Sequence, residues 1–134
     1  MKFIDAHAHL THNAAGIDRI VESGVFEQVW LMDLSGVGSL GDVCFAEQKE
    51  LLETVRRYDG FFLAFGFIDL DRDTPDRIAP PRDMGFVGLK PYKQLHPYNH
   101  EKYYPLYERA QELGMPILFH TGLIAKGSPY DPAH

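Results

Sequence analysis

Two histidines stand one residue apart near the start of the chain, in the run FIDAHAHL. Residues two positions apart in a strand point to the same face, so the side chains of His7 and His9 are expected to project together, with Cβ atoms roughly 6–7 Å apart. Neutral imidazole is a favoured ligand of zinc and similar divalent ions. Asp5 lies on the same face, where a carboxylate can orient a neighbouring imidazole. The spacing therefore predicts two ligands of one metal ion.

A third histidine, His120, ends the apolar run MPILFH and directly precedes a Thr-Gly pair. Ligands at the carboxyl ends of separate parallel strands converge on one face of an α/β barrel. We therefore predict His7, His9 and His120 as metal-binding residues, with zinc preferred on ligand type. The alternative is that the His-x-His pair arises by chance and that His120 is a hydrogen-bonded structural residue.

Three further residues are predicted to contact a substrate. Lys90 follows the apolar run GFVGL and could bind an anionic substrate or, if carboxylated, bridge two metal ions. The alternative for Lys90 is a lysine that extends its amine towards solvent. His12 lies just beyond the histidine pair, and His96 lies in a loop rich in proline and tyrosine. For both of these histidines the alternative is an ordinary solvent-exposed loop residue.

The elements that must position these residues alternate along the chain. Five apolar runs of strand length are separated by helical or loop segments, and the runs are KFIDAHAHL, FEQVWLMDLS, FFLAFGFIDL, GFVGLKPY and MPILFHTG. The segment FAEQKELLETVRRYDG has apolar residues at helical spacing, and a later helix is expected to begin near Tyr104 because of Pro105. The glycine-rich run SGVGSLGDV is predicted to be a loop. Alternation of this kind indicates parallel strands in a single α/β domain over residues 1–134.

The segments FIDAHAHL, GFVGLKPY and YPLYERAQELGMPILFHTG resemble the amidohydrolase superfamily, in the right order and over nearly the whole chain. The likeness is strongest to the branch that includes aminocarboxymuconate-semialdehyde decarboxylase, related aromatic-acid decarboxylases and lactone or amide hydrolases. The resemblance implies a partial (β/α)8 TIM-type barrel. It also implies that His7 and His9 of the first strand and His120 of the fifth strand bind a divalent ion, usually zinc.

The same resemblance implies an activity. It is hydrolysis of an amide, ester or lactone bond in a small carboxylate-type substrate by a metal-activated water, or else non-oxidative decarboxylation by a lyase. A complete barrel of this type has eight strands and about 250 residues, whereas five strands account for these 134 residues. The acid/base histidine of the family's sixth strand and the aspartate of its eighth strand have no counterpart here.

Five parallel strands leave two open sheet edges. We therefore expect a partner, either a second copy of the chain or the remaining part of the barrel. Enzymatic activity is expected of the complete protein rather than of this chain alone. The alternative is an inactive half-barrel that serves as a structural or oligomerising module with a residual metal site.

Composition excludes several other classes of function. The formal net charge is -6, and the 13 basic residues are scattered, which argues against a nucleic-acid surface. The sequence shows neither a signal-type segment nor an apolar run of membrane-spanning length. Its single cysteine, Cys44, cannot form an intramolecular disulfide. These features favour a soluble protein of a reducing compartment, most simply the cytoplasm.

Overall fold

The computed structural model of the chain describes residues 1–37, 39–92 and 94–121. The strands in these ranges are β1 (Phe3–Ala8), β2 (Phe26–Met32), β3 (Ser39–Leu40), β4 (Val43–Cys44), β5 (Phe62–Ile68) and β6 (Gly88–Pro91). The α-helices are α1 (Ile17–Glu22), α2 (Gln48–Arg57), α3 (Ala79–Met84) and α4 (Tyr104–Glu112). Short 3-10 helices at Pro75–Ile78 and Glu101–Tyr103 lead directly into α3 and α4.

One sheet contains four of the strands in the order β1-β2-β5-β6. The pairs β1 with β2 and β2 with β5 are both parallel, and a helix lies between the members of each pair in the chain. This is the α/β architecture of a partial (β/α)8 barrel, so the predicted fold class is confirmed. The chain divides into two compact units, Met1–Gly66 and Phe67–His134, with the division inside β5.

The core of the first unit is built on the two apolar strands β2 and β5. The ring of Trp30 stacks on that of Phe65, with 5.4 Å between the ring centres. Helix α2 contributes Leu51 and Leu52, which are adjacent and buried. Strand β1, which contains His7 and ends directly before His9, pairs with this core through β2. The buried apolar residues of the two central strands include Val29, Leu31, Met32, Phe62, Ala64 and Phe65.

The glycine-rich segment that was predicted to be a loop contains an additional two-stranded element. Strands β3 and β4 pair in antiparallel fashion, with Ser39 opposite Cys44 and Leu40 opposite Val43. The connection is only two residues long and includes Gly41, whose φ is 60°. Tight hairpins require positive φ at such positions, and glycine adopts it without steric cost. The positive φ that Gly41 adopts in the turn therefore allows a hairpin in a segment of low strand propensity.

The second unit contains β6 and the predicted fifth strand. Ile117 pairs with Leu89 in parallel orientation, and the amide of Leu118 donates a 2.9 Å hydrogen bond to the carbonyl of Leu89. This part of MPILFHTG therefore lies beside β6 as predicted, although the pairing is limited to a single bridge. Helix α4 begins at Tyr104 with Pro105 in its first turn, which confirms the predicted start.

The core of the second unit lies between these elements. Tyr103 and Ile78, from the two 3-10 helices, are completely buried. The other buried apolar residues here include Phe86, Leu89, Leu106, Ala110 and Met115. Within the described residues, every helix is too short or too polar to cross a lipid bilayer.

Candidate metal and substrate site

The imidazole rings of His7 and His9 lie side by side at the end of β1. Their centres are 4.9 Å apart, and the ring planes are inclined by 76°. Both residues are exposed. In a tetrahedral site, the ion lies about 2.0–2.1 Å from one nitrogen of each imidazole ligand. Two imidazoles that bind the same ion in this way have ring centres roughly 5 Å apart. The separation therefore fits two ligands of a single metal ion.

A β-bulge accompanies this pair. Asp5 is opposite Val29 and Ala8 is opposite Leu31, so β1 advances by three residues where β2 advances by two. The carboxylate of Asp5 accepts a 3.0 Å hydrogen bond from the backbone N–H of His7. Asp5 therefore fixes the backbone at His7 within the bulge, a role that the alternating pattern of the sequence did not predict.

A cavity of about 410 Å³ opens beside His9 in the first unit. Its polar lining includes Asp5 and Asn13, and its apolar lining includes Val29 and Phe62. Ligand sites for small molecules are typically apolar cavities of about 300–1,000 Å³ with a few polar groups. The size and the mixed lining are therefore suitable for a small molecule next to the histidine pair.

His12 is tied to helix α2. Its Nδ1 lies 2.9 Å from one carboxylate oxygen of Glu50, and the backbone N–H of Asn13 donates a 2.9 Å hydrogen bond to the other oxygen. The hydrogen bond with His12, followed by that from Asn13, lowers the pKa of Glu50. These contacts favour a structural role for His12, and its predicted contact with substrate has no further support in the described residues.

The Glu50→Gln variant is expected to lower the melting temperature by a few degrees at pH 7, equivalent to about 0.5–1 kcal/mol. Because the pKa of Glu50 is lowered in the folded chain, its stabilisation is present above the unfolded pKa and is lost as the pH falls through the folded value. Thermal unfolding followed by circular dichroism at pH 7 and pH 3 measures this. The difference in melting temperature between the two proteins should be smaller at pH 3 than at pH 7, and a difference that grew on acidification would contradict the assignment.

His120 lies in the second unit, where two tyrosines hold it. The hydroxyl of Tyr98 donates to the carbonyl of His120 at 3.0 Å and accepts from its backbone N–H at 3.1 Å. The ring of Tyr92 meets that of His120 edge to face, with 5.5 Å between the centres. Burial raises the pKa of Tyr98, which keeps its hydroxyl protonated for this pairing. Neither tyrosine was a sequence-based candidate, although Tyr98 stands in the same loop as His96 and Tyr92 ends the run GFVGLKPY.

The imidazole of His96 stacks on that of His100, with ring centres 4.2 Å apart and planes inclined by 20°. The backbone N–H of His96 donates a 3.0 Å hydrogen bond to the hydroxyl of Tyr103. His100 accepts a hydrogen bond from the backbone of Lys102 and so caps the 3-10 helix before α4. These contacts of His96 are with its own loop and the adjoining helix, and its binding of substrate stays a prediction.

Asp71 is a partly buried acidic residue that anchors this loop. Its carboxylate accepts hydrogen bonds from the N–H of Leu95 at 2.6 Å, the hydroxyl of Tyr103 at 2.9 Å and the amine of Lys102 at 3.0 Å. Burial raises the pKa of Asp71, but these three hydrogen bonds outweigh burial and the net pKa is lowered. Burial and the contact with Asp71 raise the pKa of Tyr103 to about 12. Asp71 therefore stays ionised and holds the loop that follows β6.

Lys90 is buried, so the interpretation as a lysine reaching into solvent is wrong. The residue is 1% exposed, and all four residues of β6 are buried. Its Nζ atom has no hydrogen-bond partner within the described part of the chain. Burial lowers the pKa of this amine. An amine in such surroundings is a candidate for function rather than a surface residue.

The three predicted metal ligands are distributed over both units of the chain. His7 and His9 belong to the first unit, and His120 belongs to the second. Among residues 1–37, 39–92 and 94–121, no three His, Cys, Asp or Glu side chains are grouped so that they could hold one ion. The pair at the end of β1 fits two positions of a metal site by its ring separation, and His120 as the third donor stays a prediction.

A family model described as Amidohydrolase matches residues 4–134 of the chain. The chain belongs to the amidohydrolase family. The match covers nearly all of this amidohydrolase chain and includes the three predicted histidine ligands. The superfamily inferred from the sequence is thereby confirmed, and divalent metal ions are the typical cofactors of amidohydrolases. Neither the curated proteins nor the solved structures provide a significant match.

Proposed function

We propose that this chain is the metal-binding part of a metal-dependent hydrolase. The enzyme would hydrolyse an amide, ester or lactone bond in a small carboxylate-type substrate. Non-oxidative decarboxylation of a similar substrate is the alternative reaction for the same site. The observation that carries the proposal is the 4.9 Å separation of the His7 and His9 rings in a chain of the amidohydrolase family.

His7, His9 and His120 would hold the ion, for which imidazole donors make zinc the preferred metal. When bound, such an ion activates water or polarises a carbonyl or carboxylate group. Asp5 keeps the backbone at His7 in place, and Tyr98 does the same at His120 through its paired hydrogen bonds. A backbone that is held in this way needs little reorganisation when the side chains it carries bind a ligand. The cavity beside His9 supplies volume for a small molecule.

A panel of lactone, ester, amide and aromatic carboxylate substrates, assayed with a protein that contains this chain and the remaining part of the barrel, tests this proposal. We expect hydrolysis of at least one lactone or ester, loss of turnover after treatment with a chelator, and recovery on addition of Zn²⁺. Release of carbon dioxide from a carboxylate without hydrolysis would assign the decarboxylase reaction instead. Turnover that persists in the chelator would contradict a metal-dependent mechanism.

A second candidate function is a structural or oligomerising module that retains a residual metal site. Apolar side chains at the β1 edge of the sheet favour it, because Phe3 is 54% exposed and Ile4 is 55% exposed. An open edge with exposed apolar residues promotes association. The partner would be a second copy of this chain or a further part of the barrel, in the cytoplasm. Bound metal without turnover on any of these substrates, in a protein that contains this chain and the remaining part of the barrel, would support this function over the first.

A further inference from the structure

The buried side-chain amine of Lys90 is suited to binding a ligand. Lys90 is 1% exposed, and Nζ has no hydrogen-bond partner among the described residues. A buried ammonium without an acceptor is costly, and buried polar groups in folded proteins are almost always hydrogen-bonded. A methionine of similar length would fill the same space without this cost. The lysine therefore lowers the free energy of unfolding relative to a methionine at the same position.

In the second unit, Lys90 lies on the same face as Tyr92, whose ring contacts that of His120. Leu89 of β6 pairs with Ile117 in parallel orientation. Side chains alternate between the two faces along an extended chain, so Lys90 and Tyr92 share the face opposite to Leu89. The ring of Tyr92 contacts that of His120, with 5.5 Å between the centres. Lys90 and His120 are therefore placed on one face, towards the carboxyl end of β6.

The chemistry of this position favours an anionic ligand. Burial lowers the pKa of Lys90 because the charged form lacks solvation. A bound carboxylate would supply both the missing acceptor and the missing countercharge. The flexible four-carbon side chain allows the amine to meet a ligand that arrives at the strand ends.

We propose that the ammonium group of Lys90 binds a carboxylate group of the substrate, on the face of the sheet that carries His120. This inference rests on the proposed function only in taking the bound carboxylate to be part of the substrate. It assigns a binding residue to the carboxylate of the proposed substrate and predicts discrimination against neutral analogues of the same shape. The interaction is an ion pair with hydrogen bonding, and no covalent bond is formed.

The test uses sodium benzoate as the probe and benzamide as its neutral counterpart, with the metal-free chain in a chelator. Calorimetric titration should show that benzoate binds to the wild type and that Lys90→Met weakens this binding by at least about tenfold. Lys49→Met is the matched control, since the side chain of Lys49 is 85% exposed. We expect the control to bind benzoate like the wild type, and benzamide to bind no more tightly to the wild type than to Lys90→Met.

Thermal unfolding distinguishes a ligand-binding role of Lys90 from a role in stabilising the fold. Lys90→Met is expected to raise the melting temperature by about 2–8 °C, because an uncompensated buried amine is replaced by an apolar side chain. The proposal would be overturned by a fall in melting temperature or by a mass increase of one carbon dioxide at Lys90. It would also be overturned if benzoate failed to bind to the wild type or bound equally well to Lys90→Met. Because the titration is metal-free, its result is independent of whether the metal-dependent hydrolysis is found.

Discussion

The His7→Ala variant is expected to bind Zn²⁺ at least about 10- to 100-fold more weakly than the wild type. Loss of a residue that merely orients a ligand costs about 10–100-fold in metal affinity, so loss of a ligand should cost no less. Competition with a chromophoric chelator measures the affinity. His100→Ala is a suitable control, because His100 is an exposed histidine that caps a 3-10 helix in the second unit. Equal weakening in both variants would contradict a specific site.

The variant pair His7→Ala and His9→Ala tests whether the two rings bind the same ion. Their ring centres are 4.9 Å apart, which fits ligands of one ion. Residues that act on one ligand as a unit show strongly non-additive effects. The double variant should therefore bind Zn²⁺ little more weakly than either single variant. Fully additive losses would indicate that the two histidines act separately.

The Asp71→Ala variant is expected to lower the free energy of unfolding by about 2–4 kcal/mol. It removes the acceptor of three hydrogen bonds and leaves the hydroxyl of Tyr103, a completely buried residue, without its carboxylate partner. Urea denaturation at pH 7 measures the change. Asp83→Ala, at an exposed position on α3, should change the stability by no more than about 0.5 kcal/mol.

The effect of Asp71 should also depend on pH. Its pKa is lowered in the folded chain by hydrogen bonds that outweigh burial. The stabilisation is therefore present above the unfolded pKa, about 3.9 for an aspartate, and is lost as the pH falls through the folded value. The difference between wild type and Asp71→Ala should shrink below about pH 4. A difference that grew on acidification would contradict this role.

Local patterns were sufficient to predict the fold class and several element boundaries. The apolar runs of β2 and β5 indicated buried parallel strands, and Pro105 indicated the start of α4. The hairpin of β3 and β4 was missed, because its short strands depend on a two-residue turn at Gly41 rather than on apolar periodicity. Patterns that repeat within an element are thus readable from sequence, whereas single turn residues are easily overlooked.

The candidate site was predictable only where it depends on local spacing. The two-residue repeat of a strand predicted the adjacency of His7 and His9, and their rings do lie together, although a bulge interrupts the pairing and β1 ends directly before His9. The hydrogen bonds of Asp71 to the distant loop and of Tyr98 to His120 join residues more than 20 positions apart. No local pattern encodes such contacts. The burial of the long, flexible Lys90 side chain is equally a property of the packed structure.

Elemental analysis of the chain, purified without chelators, tests the assignment of the histidine pair most directly. We expect about one divalent ion per chain in the wild type, with zinc preferred, as is typical of a site built on imidazole donors. The His7→Ala variant, purified in parallel, should retain only a small fraction of that amount. Equal metal contents in the two proteins, or no divalent ion in the wild type after exposure to Zn²⁺, would contradict the assignment of His7 and His9 as metal ligands.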